Sequence, residues 1–156
     1  MLYLSLCGCQ PTKPFPTIML SVTKTPTPPL RWEAYQMALS KEIVNTEDGV
    51  CEWDILGMVG RKVYVWAVCQ VRGPIGTAGS VPAVVLLGQD GKIEKVTIPR
   101  DGDKYYWEDI EALFPPDISD RIHTRDTHGF ADMKHLEARQ TEYGPPLIVV
   151  VGTPLP

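Results

Sequence analysis

The sequence predicts an α+β domain: a four- to five-stranded, mainly antiparallel meander sheet with N-terminal and C-terminal helices packed on it. Three observations carry this. The runs Val50-Cys51-Glu52-Trp53-Asp54-Ile55-Leu56 and Val63-Tyr64-Val65-Trp66-Ala67-Val68-Cys69 alternate as strands do, and the glycine-bearing residues 57–62 between them read as a hairpin connection. Residues 81–87 are apolar on both faces, as suits a central strand, and Gln89-Asp90-Gly91-Lys92 turns residues 93–98 antiparallel to it. Apolar residues recur at helical spacing before and after this run of strands.

The front of the chain stands apart from that domain. Leu6-Cys7-Gly8-Cys9 places a leucine three residues before a cysteine and a small residue directly before it. Over roughly the first ten residues the chain resembles the site at which bacterial lipoprotein precursors are cut and lipidated. The resemblance implies that Cys9 carries lipid and that the domain is extracytoplasmic, anchored to the cell membrane within the bacterial envelope. Residues 1–6 are apolar but shorter than the roughly 7–15 residues of a signal h-region, and no Lys or Arg precedes them. Residues 1–9 therefore read as a truncated signal, its front expected upstream.

Residues 10–29 read as a tether. Six of these twenty residues are proline and five are threonine. Proline fixes φ and lacks an N–H, so such a stretch favours extended polyproline conformations. At about 3.1 Å per residue it reaches roughly 60 Å from the anchor. A single acyl chain holds a protein only marginally; the diacyl or triacyl modification implied by the resemblance would hold it stably.

Residues 30–156, about 127 in number, suffice for one core, and no internal repeat is visible. Trp32, Tyr35, Leu39 and Ile43 recur at helical spacing, and Pro26, Pro28 and Pro29 lead into that helix. The hairpin comes next. Folding it about Gly60 opposes Ile55 with Val65, Trp53 with Ala67, and Cys51 with Cys69, all on one core face. A slip of one residue would turn every side chain over. Directly opposed Cβ atoms lie about 4.5–5.5 Å apart, so a modest adjustment closes a disulfide.

Cysteine arithmetic points the same way. Of the four, Cys7 would leave with the signal and Cys9 would carry lipid, which leaves Cys51 and Cys69 as a disulfide pair. Disulfides persist in oxidising compartments and are rare in the cytosol. A loop of about 17 residues closed this way contributes roughly 3 kcal/mol, large against a domain total of about 5–15 kcal/mol.

Glu52, Asp54, Leu56, Tyr64 and Trp66 alternate onto the other face of the hairpin. Left uncovered, this aromatic and acidic surface is the candidate binding face, suited to a cationic ligand or a basic partner. The competing arrangement packs the first helix over it. The glycine-rich loop at residues 72–80 is the second candidate surface.

The C-terminal third returns to helix. Trp107, Ile110, Leu113 and Phe114 form one stripe, ended by Pro115-Pro116. Residues 117–123 add another turn or two, and residues 130–141 are amphipathic through Phe130, Met133 and Leu136. Residues 145–152 close with a short apolar run suited to a final strand or an extended arm, far below the ~20 residues that span a bilayer.

Chemistry is sparse. His123, His128 and His135 lie near Asp117, Asp120, Asp126 and Asp132, and zinc needs three or four such ligands converging. No spacing here matches a helical zinc pair, and polar helix ends explain the same residues. Asp126-Thr127-His128-Gly129 lacks a serine or cysteine in an elbow context, and neighbours in sequence do not converge as a triad does. Gly73, Gly76 and Gly79 are not followed by the Lys-Ser/Thr of a phosphate loop. A net charge of −4 argues against nucleic acid, which needs a basic footprint. No catalytic residues, metal site or cofactor are expected. The expected function is a lipid-anchored extracytoplasmic module that binds a protein or small ligand. The alternative is a small envelope inhibitor or structural protein, using a loop or the Pro-rich C-terminal arm; a metal-dependent hydrolase ranks third.

Overall fold

The meander follows chain order. The structure, a computed structural model, describes residues 32–73, 76–124, 133–147 and 149–150. Helix α1 (Trp32–Val44) leads into strands β1 (Val50–Val59), β2 (Lys62–Gln70), β3 (Ala78–Leu87) and β4 (Ile93–Thr97). Helices α2 (Asp103–Leu113), α3 (Pro116–Thr124) and α4 (Met133–Thr141) follow, and then a two-residue strand β5 (Val149–Val150). The spatial order is β4-β3-β2-β1-β5, antiparallel throughout except that β5 runs parallel to β1. The α+β class and the antiparallel meander are as the sequence predicts. Residues 1–31, with the Leu6–Cys9 motif and the tether, lie outside the described residues.

The hairpin register is the expected one: Cys51 faces Cys69, Trp53 faces Ala67, and Ile55 faces Val65. Cys51 and Cys69 are joined as a disulfide and fully buried. The ladder runs further than residues 57–62 suggest. A β-bulge between Ile55 and Gly57 shifts the pairing, so that Gly57, Met58 and Val59 face Tyr64, Val63 and Lys62. Only Gly60 and Arg61 remain as the turn. Gly60 has φ 58, the left-handed value that favours glycine at the first central position of a two-residue hairpin. Gly57 answers a different need, since a Cβ there would come within 2.9 Å of Ile118 Cδ1 on α3.

Both faces of the sheet are covered. Tyr35, Leu39 and Val44 of α1 pack on the face carrying Cys51, Trp53, Ile55, Val63 and Val65. Ile110 and Phe114 near the end of α2, with Ile118 and Ile122 of α3, pack on the opposite face against Leu56, Tyr64 and Val84. Leu136 of α4 extends that second layer over Val50 and Val68. With helices above and below, β1 is buried continuously from Val50 to Gly57.

Local signals set the helix ends. Asn45, at φ 55, stops α1 in the left-handed region that asparagine tolerates, and the buried Ser40 hydroxyl donates to the Thr46 carbonyl beyond it. Pro115 breaks α2, and Pro116 opens α3 at the position where a missing N–H costs nothing. The inward stripe of α2 differs from expectation in one residue. Trp107 is 39% exposed, and Tyr106 takes the inner position beside Ile110 and Leu113. Phe130 lies outside the described residues, while Leu136 carries the buried face of α4. No helix among the described residues is long and apolar enough to cross a membrane.

Candidate functional site

The candidate binding face is not open. Leu56 and Tyr64 are buried under α2 and α3, with the Tyr64 ring 5.7 Å from that of Phe114. Burial, aided by the nearby Asp117 charge, raises the Tyr64 pKa above the usual phenol range. Trp66 is half-buried, and its Nε1 donates to Ser80 Oγ at 2.9 Å. Glu52 and Asp54 are buried as well. The expectation of an exposed aromatic-acidic surface is thus corrected. The competing arrangement is corrected too, because α1 covers the other face and three C-terminal helices cover this one.

Burying a carboxylate demands partners, since an isolated buried charge is prohibitive. Glu52 has them. Its Oε1 accepts from Arg139 Nη1 at 2.7 Å and lies 2.9 Å from His135 Nδ1, while Oε2 accepts from the Leu147 N–H at 2.8 Å. Arg139 commits four of its five N–H donors. Nη1 also donates to the Cys51 carbonyl, Nε donates to the Gly144 carbonyl at 2.9 Å, and Nη2 donates to Gln36 Oε1. Gln36 Oε1 in turn accepts from the Cys51 N–H at 3.5 Å.

The consequence is structural. Among the described residues, β1 has no neighbouring strand on its outer side at Cys51, since β5 pairs with Asp54 and Ile55. Gln36 and Arg139 satisfy the N–H and C=O that a strand would otherwise take, which buried backbone requires. In doing so they tie α1, on one face of the sheet, to α4 on the other. Sequence reasoning missed Arg139. The only signal was a pair of acids, Glu52 and Asp54, in an otherwise apolar strand, with no hint of the partner of either.

The remaining histidine candidates do not converge. His123 stacks on Trp107, ring centroids 4.5 Å apart, while His135 meets Glu52. His128, Asp126 and Asp132 lie outside the described residues. Among the described residues, no group of three or more His, Cys, Asp or Glu side chains is gathered as a metal site.

A groove opens beside the clamp, at the end of the sheet that holds the disulfide. Gln36 of α1 and the α1–β1 loop, including Glu47 and Asp48, form one side. Val71 and Arg72, at the start of the glycine-rich loop, form another, and Thr141 and Tyr143 after α4 complete it. Its volume is about 720 Å³, within the range of small-ligand sites. Arg72 is held in place by Nη1, which donates to the carbonyls of Arg139 and Gln140, each at 3.2 Å. Tyr143 is 77% exposed and lies 5.3 Å, ring to ring, from Trp32, whose face the Arg139 guanidinium approaches at 5.5 Å. The second candidate surface therefore contributes Arg72 to a formed groove, although Pro74 and Ile75 of that loop lie outside the described residues. No protein-family model and no solved structure matches this chain.

Proposed function

We propose that this chain is a disulfide-stapled, lipid-anchored extracytoplasmic binding module that takes its ligand in the groove beside Arg72. The Cys51–Cys69 disulfide, fully buried in the core, is the observation that carries the reading. A bonded pair at that depth belongs to an oxidising compartment, where it strengthens a small domain. The resemblance of Leu6-Cys7-Gly8-Cys9 to lipoprotein processing sites supplies the anchor at Cys9, and the proline-rich residues 10–29 supply reach. The groove supports binding because its walls are pinned by the Arg139 clamp, so little ordering is lost when a ligand enters.

Intact-mass measurement on protein isolated from its native membrane tests this reading. Expected are the mass of acyl groups at Cys9 and a two-proton deficit from Cys51 and Cys69. A full-length, unmodified and reduced chain would sink it.

The hairpin tip favours a second reading, that of a small envelope inhibitor or structural protein. Met58 and Val59 are 43% and 45% exposed at the end of a rigid two-residue turn, an apolar tip suited to a partner's groove. Changing both to serine without loss of partner binding would remove it.

A further inference from the structure

We infer that the groove beside Arg72 recognises a short glycan, an inference that rests on the binding-module reading above. The hydrogen-bonding valences left over in the groove point to this class. Gln36 commits Oε1 to Arg139 and to the Cys51 N–H, and its Nε2 has no partner among the described residues. Arg72 commits Nη1 to two carbonyls, and its Nε and Nη2 have no partner among the described residues. Asp48 donates its N–H to Thr46 Oγ1, while its carboxylate has no partner among them. The Thr141 hydroxyl donates to the Ala138 carbonyl and keeps its acceptor capacity. Uncommitted donors and acceptors thus line the same groove.

That mixture selects among ligands. With Glu47 paired to Lys41 at 3.0 Å, Asp48 stands against Arg72, so the groove carries no net positive charge to hold phosphates or other anions. The donors and acceptors disfavour an apolar occupant, which would leave them unpaired. A sugar hydroxyl both donates and accepts, so a polyol satisfies neighbouring groups of both kinds. A pyranose also has a C–H face that packs on an aromatic ring. Tyr143 offers such a ring, and Trp32 supports it at an interplanar angle of 52°.

Titration of the full chain with chitotetraose and with cellotetraose, followed by calorimetry and by tryptophan fluorescence, tests the assignment; the dipeptide Ala-Ala and inorganic phosphate serve as competing probes. Expected is saturable binding of a tetrasaccharide that perturbs the tryptophan emission. Tyr143→Ala should weaken it about tenfold, the scale of one lost aromatic contact, and Asp48→Asn several-fold. Both positions are on the surface, so the melting temperature of each variant should stay that of the parent, which separates a binding loss from misfolding. Absence of saturable binding of either sugar at millimolar concentration overturns the assignment, and so does sugar binding that both variants leave unchanged. Binding of Ala-Ala or phosphate in place of the sugars, sensitive to Tyr143 and Asp48, overturns the glycan class and leaves the binding-module reading standing. An unmodified, reduced chain in the mass measurement would overturn that parent reading independently.

Discussion

Arg139 Nη1 lies 2.7 Å from Glu52 Oε1, with the two side chains 5% and 0% exposed. The pair joins the last described helix to the first strand of the sheet, and through Gln36 it reaches the first helix as well. Buried pairs of this kind add little net stability over an apolar substitute, yet removing one partner strands the other charge. Arg139→Met should therefore cost about 3–5 kcal/mol, and pairing it with Glu52→Leu should recover part of that loss. Denaturant titration of the two single variants and the double variant checks the coupling; strictly additive losses would contradict it.

The disulfide closes the hairpin at its open end, opposite the Gly60 turn. Replacing Cys51 and Cys69 together by alanine should lower stability by about 3 kcal/mol on the chain-entropy estimate. The check is the unfolding free energy from urea titration, with a steeper slope than the parent's because the unlinked denatured chain exposes more surface.

Tyr35 is buried against Trp53, ring centroids 5.9 Å apart, yet its hydroxyl has no hydrogen-bond partner among the described residues. Burial holds its pKa above the usual phenol range, so the group stays protonated at neutral pH. A buried hydroxyl without a partner carries a desolvation cost and returns nothing. Tyr35→Phe is expected to leave stability within about 1 kcal/mol of the parent, on the stabilising side. Thermal unfolding of the variant measures this, and a clear loss would show that the hydroxyl has a use.

Arg100 grips Asp109 through three contacts, from its N–H at 2.8 Å, its Nε at 2.9 Å and its Nη2 at 2.7 Å. Those donors hold the Asp109 carboxyl down at about 2, below the usual carboxylate range. Because the folded value lies below the unfolded one, the contribution of this pair is present above pH ~4 and is lost as pH falls toward 2. NMR titration of the Asp109 side chain should give a midpoint near 2, returning toward the ordinary value in Arg100→Ala.

The hairpin was legible because its two signals are local and agree. Period-two alternation sets which face each residue takes, and the two cysteines mark the same register as the apolar residues. The bulge at residue 56 was not legible. It depends on α3 lying close enough that Gly57 leaves room for Ile118, a contact across 61 positions of chain. The covering of Glu52, Asp54, Leu56 and Tyr64 was missed for a related reason. Each helix shows an apolar stripe, but a stripe does not name the face of the sheet it will meet. Trp107 shows the limit on a smaller scale: one position of helical phase separates it from Tyr106, and packing against the sheet chose Tyr106.

By itself the sequence determined the element order, the antiparallel meander and the pairing of Cys51 with Cys69, because strand periodicity, turn residues and cysteine spacing act over a few residues. Tertiary structure alone decided which helices cover which face, and it turned an expected open surface into core. It also decided that Glu52 would find Arg139 and that Gln36, Arg72 and Tyr143 would border one groove. Those outcomes rest on contacts between distant segments, where the cost of an unpaired buried charge or backbone group selects one packing arrangement from several that a local pattern allows.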